Sequence, residues 1–323
     1  MTIVCTGSIA FDYLMSFPGY FRDHILPDRL DSISLSFLVD AMVRQRGGTG
    51  PNIAYTLALL GERPLLVGTV GEDFSEYRAS LESKGVDTRF VKVIPGEYTA
   101  SFFANTDLAN NQIASFYTGA MAHAAEINIQ ELVPEKPELV VVSPNDPKAM
   151  AQYPQQCQAL GIPYLYDPSQ QIVRLKPEEL RTGVEGAQSL FVNEYEFELL
   201  QKHTGLTSNQ ILSLVELMVV TLGKDGAIVY VEGEEYRIPP VLPDKIADPT
   251  GVGDAFRGGF LRGYRLGLDW QTCGQMGAMA ATYCLEQRGT QNHYYTPAEF
   301  VARYRRCFND RGVLDVLLNY SRS

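Results

Sequence analysis

Near the C-terminal third, Thr250-Gly251-Val252-Gly253-Asp254 combines two glycines with a carboxylate. Glycines at 251 and 253 let the backbone turn sharply and approach a ligand closely. If a helix begins here, its first amides point outward and cradle negative charge, including charge developing on a transferring phosphoryl group. Asp254 in the same turn can accept a proton from an attacking hydroxyl. The chemistry in view is phosphoryl transfer to an alcohol. The bland alternative is a Gly-x-Gly that only starts a helix. Two other nucleotide motifs fail on spacing: the third Rossmann glycine would fall on Phe256, and no Gly-Lys-Ser/Thr occurs.

The elements that must position this turn can be read from apolar spacing. Residues 2–9 are β-branched and apolar, which predicts a buried strand ending at Gly7-Ser8. Helical spacing covers 51–60, 74–84, 148–160 and 194–203, and the chain from about Gly251 onward is mostly helical in pattern. Short apolar runs at 64–70, 138–143, 163–166, 189–192 and 217–222 predict further strands. Strands alternating with helices predict an α/β fold whose mainly parallel sheet is covered on both faces. Two regions break the rhythm with period-two alternation: Ser32 to Phe37 with Ala41 to Arg46, and Tyr98 to Phe103 with Gln112 to Tyr117. Together they predict a small β-sheet lid, inserted as segments of about 13–46 and 97–118 in a single domain spanning 1–323.

Composition narrows the partners. The 323 residues carry a formal net charge of -11, so no general attraction to nucleic acid or anionic lipid is expected. Any polyanion must be held by local potential, which helix N-terminal amides supply. The five cysteines show no CxxC spacing, which favours reduced thiols over a disulfide framework or zinc site. The start lacks a signal-peptide pattern and no run is long enough to span a bilayer, so a cytoplasmic protein is expected. His24, His123, His203 and His293 are scattered without metal or triad spacing.

Asp248-Pro249-Thr250-Gly251-Val252-Gly253-Asp254-Ala255-Phe256 resembles the C-terminal signature of the ribokinase-like, PfkB-type carbohydrate and nucleoside kinases. Gly47-Gly48-Thr49-Gly50-Pro51-Asn52-Ile53-Ala54 resembles their N-terminal signature. Asn193-Glu194-Tyr195-Glu196 matches the Asn-x-x-Glu motif between the two, and Gly7-Ser8-Ile9-Ala10-Phe11-Asp12 matches the end of the first strand. Within the family the chain is most similar to bacterial adenosine kinases, on 34–40, 112–117 and 167–171.

The resemblance implies a three-layer ribokinase-like α/β/α fold with a lid. It implies Asp254 as general base and Gly251, Val252 and Gly253 as the anion hole. Asp12, Gly48 and Asn52 would meet the substrate sugar, and Ser8, Ser36, Gln170 and Gln171 would surround the nucleoside. Thr221, Gly223 and Gly226 look like the ATP-side loop, while Arg174 would reach phosphate. Asn193 and Glu196 would organise magnesium, largely through water. The implied cofactors are ATP and magnesium, with potassium left open. Phe102 and Phe116, on predicted lid strands, offer flat faces to a purine. The expected reaction is transfer of the ATP γ-phosphate to the 5′-hydroxyl of adenosine. A free sugar or another nucleoside is the competing substrate, and a catalytically silent nucleoside sensor is the competing class. An exposed small sheet also predicts a homodimer through the lid.

Overall fold

The computed structural model describes residues 2–25, 31 and 34–320. In chain order the elements are β1 (Thr2–Thr6), β2 (Ala10–Ser16), β3 (Ala41–Gly47), α1 (Thr49–Leu59), β4 (Leu65–Val70), α2 (Ser75–Glu82) and β5 (Asp87–Val93). Next come β6 (Ala100–Thr106), β7 (Gln112–Tyr117), β8 (Pro137–Val142), α3 (Pro147–Leu160), β9 (Tyr164–Tyr166), α4 (Pro177–Glu185), β10 (Ser189–Asn193), α5 (Glu194–Thr204) and α6 (Ser208–Leu214). Then follow β11 (Leu217–Thr221), β12 (Ala227–Val231), β13 (Glu234–Ile238), α7 (Val252–Arg265), α8 (Trp270–Leu285), α9 (Pro297–Cys307) and α10 (Asp315–Tyr320).

Nine strands form one sheet in the order β13-β12-β11-β10-β9-β8-β1-β4-β5. The pairs from β5 through β11 are parallel, and β12 and β13 add an antiparallel edge. Alternate side chains of these strands go to opposite faces. Ile3, Cys5, Val141, Leu165, Phe191 and Val219 pack under α1, α7 and α8 in one core. Val4, Val140, Val142, Tyr166, Leu190 and Met218 pack under α3 to α6 in the other. Full burial of each such aliphatic side chain is worth about 1.5–3 kcal/mol. The chain runs from β1 outward to β4 on one side and to β8 on the other. The strand order therefore reverses beside β1, where open α/β sheets form their crevice at the carboxyl ends of the strands.

A second sheet of four strands, β3-β2-β6-β7, stands apart from the first. Its β2–β3 and β6–β7 pairs are antiparallel and its β2–β6 pair is parallel. The alternating segment expected as a strand at Ser32 to Phe37 corrects here. Ser32 and Ile33 lie outside the described residues, and 34–39 form no strand. Phe37 instead packs edge-on against Phe17 and Phe21, at 5.1 and 4.9 Å between ring centroids. The central place in the small sheet belongs to β2, next in the chain after β1.

α7 is wedged between two helices through glycines. A Cβ on Gly258 would lie 2.6 Å from Thr56 of α1, and one on Gly259 would lie 2.5 Å from the Met276 carbonyl oxygen of α8. The buried Arg262 also ties α7 to the end of α1, through the Leu60 carbonyl at 3.0 Å and Glu62 at 2.6 Å. No helix among the described residues is long and apolar enough to cross a membrane.

Candidate active site

The turn before α7 is shaped by its own residues. Asp248 accepts the Thr250 amide at 2.9 Å and the Gly289 amide at 3.0 Å. Gly251 adopts φ 78, and its carbonyl accepts the Ala255 amide at 2.9 Å, opening the helix. The Val252 amide makes a long bond of 3.4 Å to the Pro249 carbonyl. The amides of Gly251, Gly253 and Asp254 take no partner among the described residues, and both glycines line the cleft. Such a helix mouth attracts anions.

Asp254 sits in the first turn of α7, half-buried, and accepts Asn52 Nδ2 at 2.9 Å on Oδ2. Burial pushes its carboxyl up to about 6; Arg257 and Asn52 pull it back and Glu196 adds to the rise. One turn along α7, Arg257 grips the buried Asp167 from beyond β9 with Nε and Nη2, at 2.6 and 2.7 Å. Burial pushes the Asp167 carboxyl up against the pull of that guanidinium.

Opposite this turn, the small sheet presents Asp12, Phe102 and Phe116. Asp12 lies beside Phe102 across β2–β6, and Phe102 faces Phe116 across β6–β7, so all three share one face. Asp12 has no hydrogen bond among the described residues; burial, helped by the charge of Asp248, pushes it up to about 6. At the root of that sheet Gly48 has φ 95, and a Cβ there would sit 2.3 Å from the Ser8 carbonyl oxygen. The Ser8 hydroxyl accepts the Thr49 amide at 3.3 Å.

These groups enclose a cleft of about 610 Å³ at the carboxyl ends of β1, β8, β9, β10 and β11. Of the residues singled out in the sequence, Ser8, Asp12, Gly48, Asn52, Phe102, Phe116, Gln170, Gln171, Arg174, Asn193, Glu196, Thr221, Gly251, Gly253 and Asp254 line it. Ser36, Val252, Gly223 and Gly226 do not line it. Ser36 is exposed in the irregular stretch 34–39. Gly226, at φ 93, shapes the turn between β11 and β12, where a Cβ would meet the Ile238 carbonyl. A larger cavity of about 860 Å³ lies at the opposite ends of β10 and β11, and none of these residues lines it.

Asn193 and Glu196 cap α5 reciprocally: Asn193 Oδ1 accepts the Glu196 amide and Glu196 Oε2 accepts the Asn193 amide, both at 2.8 Å. Ser169 donates to Glu196 Oε1 at 3.1 Å. A carboxylate held this way keeps lone pairs for water, and the described residues contain no cluster of three or more acidic, His or Cys side chains able to cage an ion. The set therefore fits magnesium that keeps its own waters, not a fully protein-ligated ion.

Arg257, Thr290, Thr49, Ser169 and Met121 line the cleft without having been given a role, and Asp167 is buried behind Arg257. Arg257 carried a signal, since it lies three residues beyond Asp254 on a predicted helix and so shares its face. Thr49, Asp167 and Ser169 fall inside the segments 47–54 and 167–171 that carried the resemblance, whereas Thr290 and Met121 come from distant segments with no local mark.

Residues 19–297 match the model of the pfkB family carbohydrate kinases. A nucleoside kinase of Methanothermobacter thermautotrophicus is 30% identical over 94% of this chain and 95% of its own length. The Burkholderia thailandensis nucleoside kinase, solved in complex with inosine, is 36% identical at a TM-score of 0.84, covering 95% of this chain and 98% of that one. Adenosine kinase of Sinorhizobium meliloti shares the fold at a TM-score of 0.73 and 21% identity, over 95% of this chain and 99% of that one. With its two sheets, helices on both sides of the larger one, and the glycine-flanked Asp254 at the head of α7, this chain is a ribokinase-like protein that belongs to the pfkB family of carbohydrate kinases.

Proposed function

We propose that this protein is an ATP-dependent nucleoside kinase that phosphorylates the 5′-hydroxyl, with adenosine as a substrate. The carrying observation is that Asp254 lies beside unbonded helix-mouth amides in the same cleft as Asp12 and a facing pair of phenylalanines. In this reading Asp12 accepts ribose hydroxyls; a carboxylate without internal partners is free for two such charge-assisted bonds. Gly48 lets the sugar approach the backbone, and Ser8, Gln170 and Gln171 surround the nucleoside.

Asp254 takes the 5′-hydroxyl proton as that oxygen bonds to the γ-phosphorus and the bond to the β-phosphate oxygen breaks, releasing ADP. The Gly251 and Gly253 amides bear charge on the transferring group. Arg174 and Thr221 lie on the ATP side, with Asn193 and Glu196 orienting water around magnesium, which neutralises phosphate charge when bound. Closure of the small sheet excludes water, the competing nucleophile. The protein acts in the cytoplasm, and its small sheets pair in a homodimer.

The inosine complex of the Burkholderia thailandensis enzyme favours a second reading in which other purine nucleosides are taken equally well. The test is product analysis with ATP, magnesium and a panel of nucleosides and ribose. ADP and a nucleoside 5′-monophosphate should form. Stacking is worth about 1–3 kcal/mol per base, so Phe102→Ala and Phe116→Ala should raise the nucleoside KM about 5- to 150-fold while leaving ribose nearly unaffected. Equal losses for both substrates would remove the stacking role, and phosphorylation of ribose alone would overturn the nucleoside reading.

A further inference from the structure

Among the described residues Asp254 receives one side-chain donor, Asn52 Nδ2, at 2.9 Å. An asparagine could as well turn its oxygen there, which would repel an ionised carboxylate. What decides the orientation lies behind Asn52. The Gly47 carbonyl, a backbone acceptor at the end of β3, takes the Tyr77 hydroxyl proton at 2.9 Å. The Tyr77 oxygen can then only accept, so Gln291 must present Nε2 to it, at 2.5 Å. The second Nε2 proton goes to Asn52 at 2.8 Å, which obliges Asn52 to present Oδ1. The Thr290 hydroxyl, 2.8 Å from the same Oδ1 and 2.9 Å from the Arg46 carbonyl, has a single proton for these two acceptors, so the orientation is set by Gln291. Asn52 Nδ2 is left for Asp254. Donor and acceptor roles thus run from a fixed carbonyl to the carboxylate through three side chains. With Asn52, Tyr77 and Gln291 all nearly inaccessible, no solvent offers an alternative partner.

We propose that Tyr77 and Gln291 are positioning residues for phosphoryl transfer, holding the Asn52 amide so that it always donates to Oδ2 of Asp254 and leaves Oδ1 for the substrate hydroxyl. The proposal rests on the reading of Asp254 as the base. It gives Asn52, expected from the sequence to bind the sugar, a second duty toward the carboxylate. Because Gly47 ends β3, the root of the small sheet and the base share one hydrogen-bonded chain.

The Asn52 bond holds the Asp254 carboxyl down, so loosening the chain must move its titration upward. The other groups facing Asp254 are Arg257 on its own helix, Glu196 on α5, Asp167 through Arg257, Cys284 on α8 and Tyr77 on α2. Tyr77→Phe and Gln291→Met add no charge and leave the charged groups among these in place.

Carbon NMR of the carboxyls, assigned by difference with Asp254→Asn, follows the titration without requiring turnover. Both variants should move it upward by about 0.5–1 pH unit. The acidic limb of kcat/KM should move with it, with kcat down about 3- to 10-fold and the KM for ATP within about 2-fold. A purely structural role would lower the melting temperature and leave the Asp254 titration where it is. That result in either folded variant overturns the proposal, and Tyr77→Phe, which removes a single oxygen, is decisive if Gln291→Met does not fold. A wild-type protein that phosphorylates nothing would instead sink the kinase reading, and the titration would still decide the positioning.

Discussion

At the scale of the residue, Asp254 must be ionised to take a proton, yet burial favours its neutral form. Its carboxyl stands at about 6, so activity should fall as pH drops through about 6 and be full above it. Asp254→Asn should fold normally, by circular dichroism, and lose at least about 100-fold in kcat. Asp12 has the same sign. Raised from 3.8 to about 6, it favours the folded state only when protonated; that stabilisation is complete at low pH and gone above about 6. Asp12→Asn should therefore melt about 2–4 °C higher than the parent near pH 8, show no such gain near pH 4, and bind nucleoside more weakly. An equal gain at both pH values would show that burial of the charge is not the cause. Both carboxylates were legible in the sequence because each sits in a compact local motif. Asn52 was legible as a site residue, but its bond to Asp254 was not: the two are 202 positions apart, and only the packing of α1 against α7 brings them together.

At the scale of the element, the helix that carries Asp254 is placed by contacts too close for side chains. A Cβ on Gly259 would lie 2.5 Å from the Met276 carbonyl oxygen of α8, so Gly259→Ala should push the helices apart and destabilise the protein by about 1–3 kcal/mol in denaturant titration. A variant as stable as the parent would mean that α8 yields freely. Helical and parallel-strand segments were readable because long apolar patterns declare themselves. The β12–β13 hairpin was passed over, although Glu232-Gly233, both at positive φ, is a two-residue turn between alternating stretches. The stretch 34–37 misled for the opposite reason. Its alternation is real, but both edges of β2 are taken by β3 and β6, and Phe37 packs with Phe17 and Phe21 instead of extending the open edge of β3.

At the scale of the whole molecule, the small sheet shows one face to the cleft and the other to solvent. On the outward face Tyr13 stacks on Phe103 at 4.8 Å, and Met42 and Ile113 are 61% and 43% exposed. An apolar sheet face with open edges suits pairing with a second copy. Light scattering should give a dimer mass for the parent, and Ile113→Lys with Phe103→Glu should give a monomer; a monomeric parent would end the proposal. The larger sheet has a different consequence. β1 sits between β4 and β8, both of which follow it in the chain. On the ribosome it must wait until residue 142 has emerged before both neighbours exist, and Asp254 until α1 and α7 can meet. Long-range pairing of this kind is slow and leaves sticky strands uncovered, so the nascent chain is a natural client for chaperones until its second half arrives.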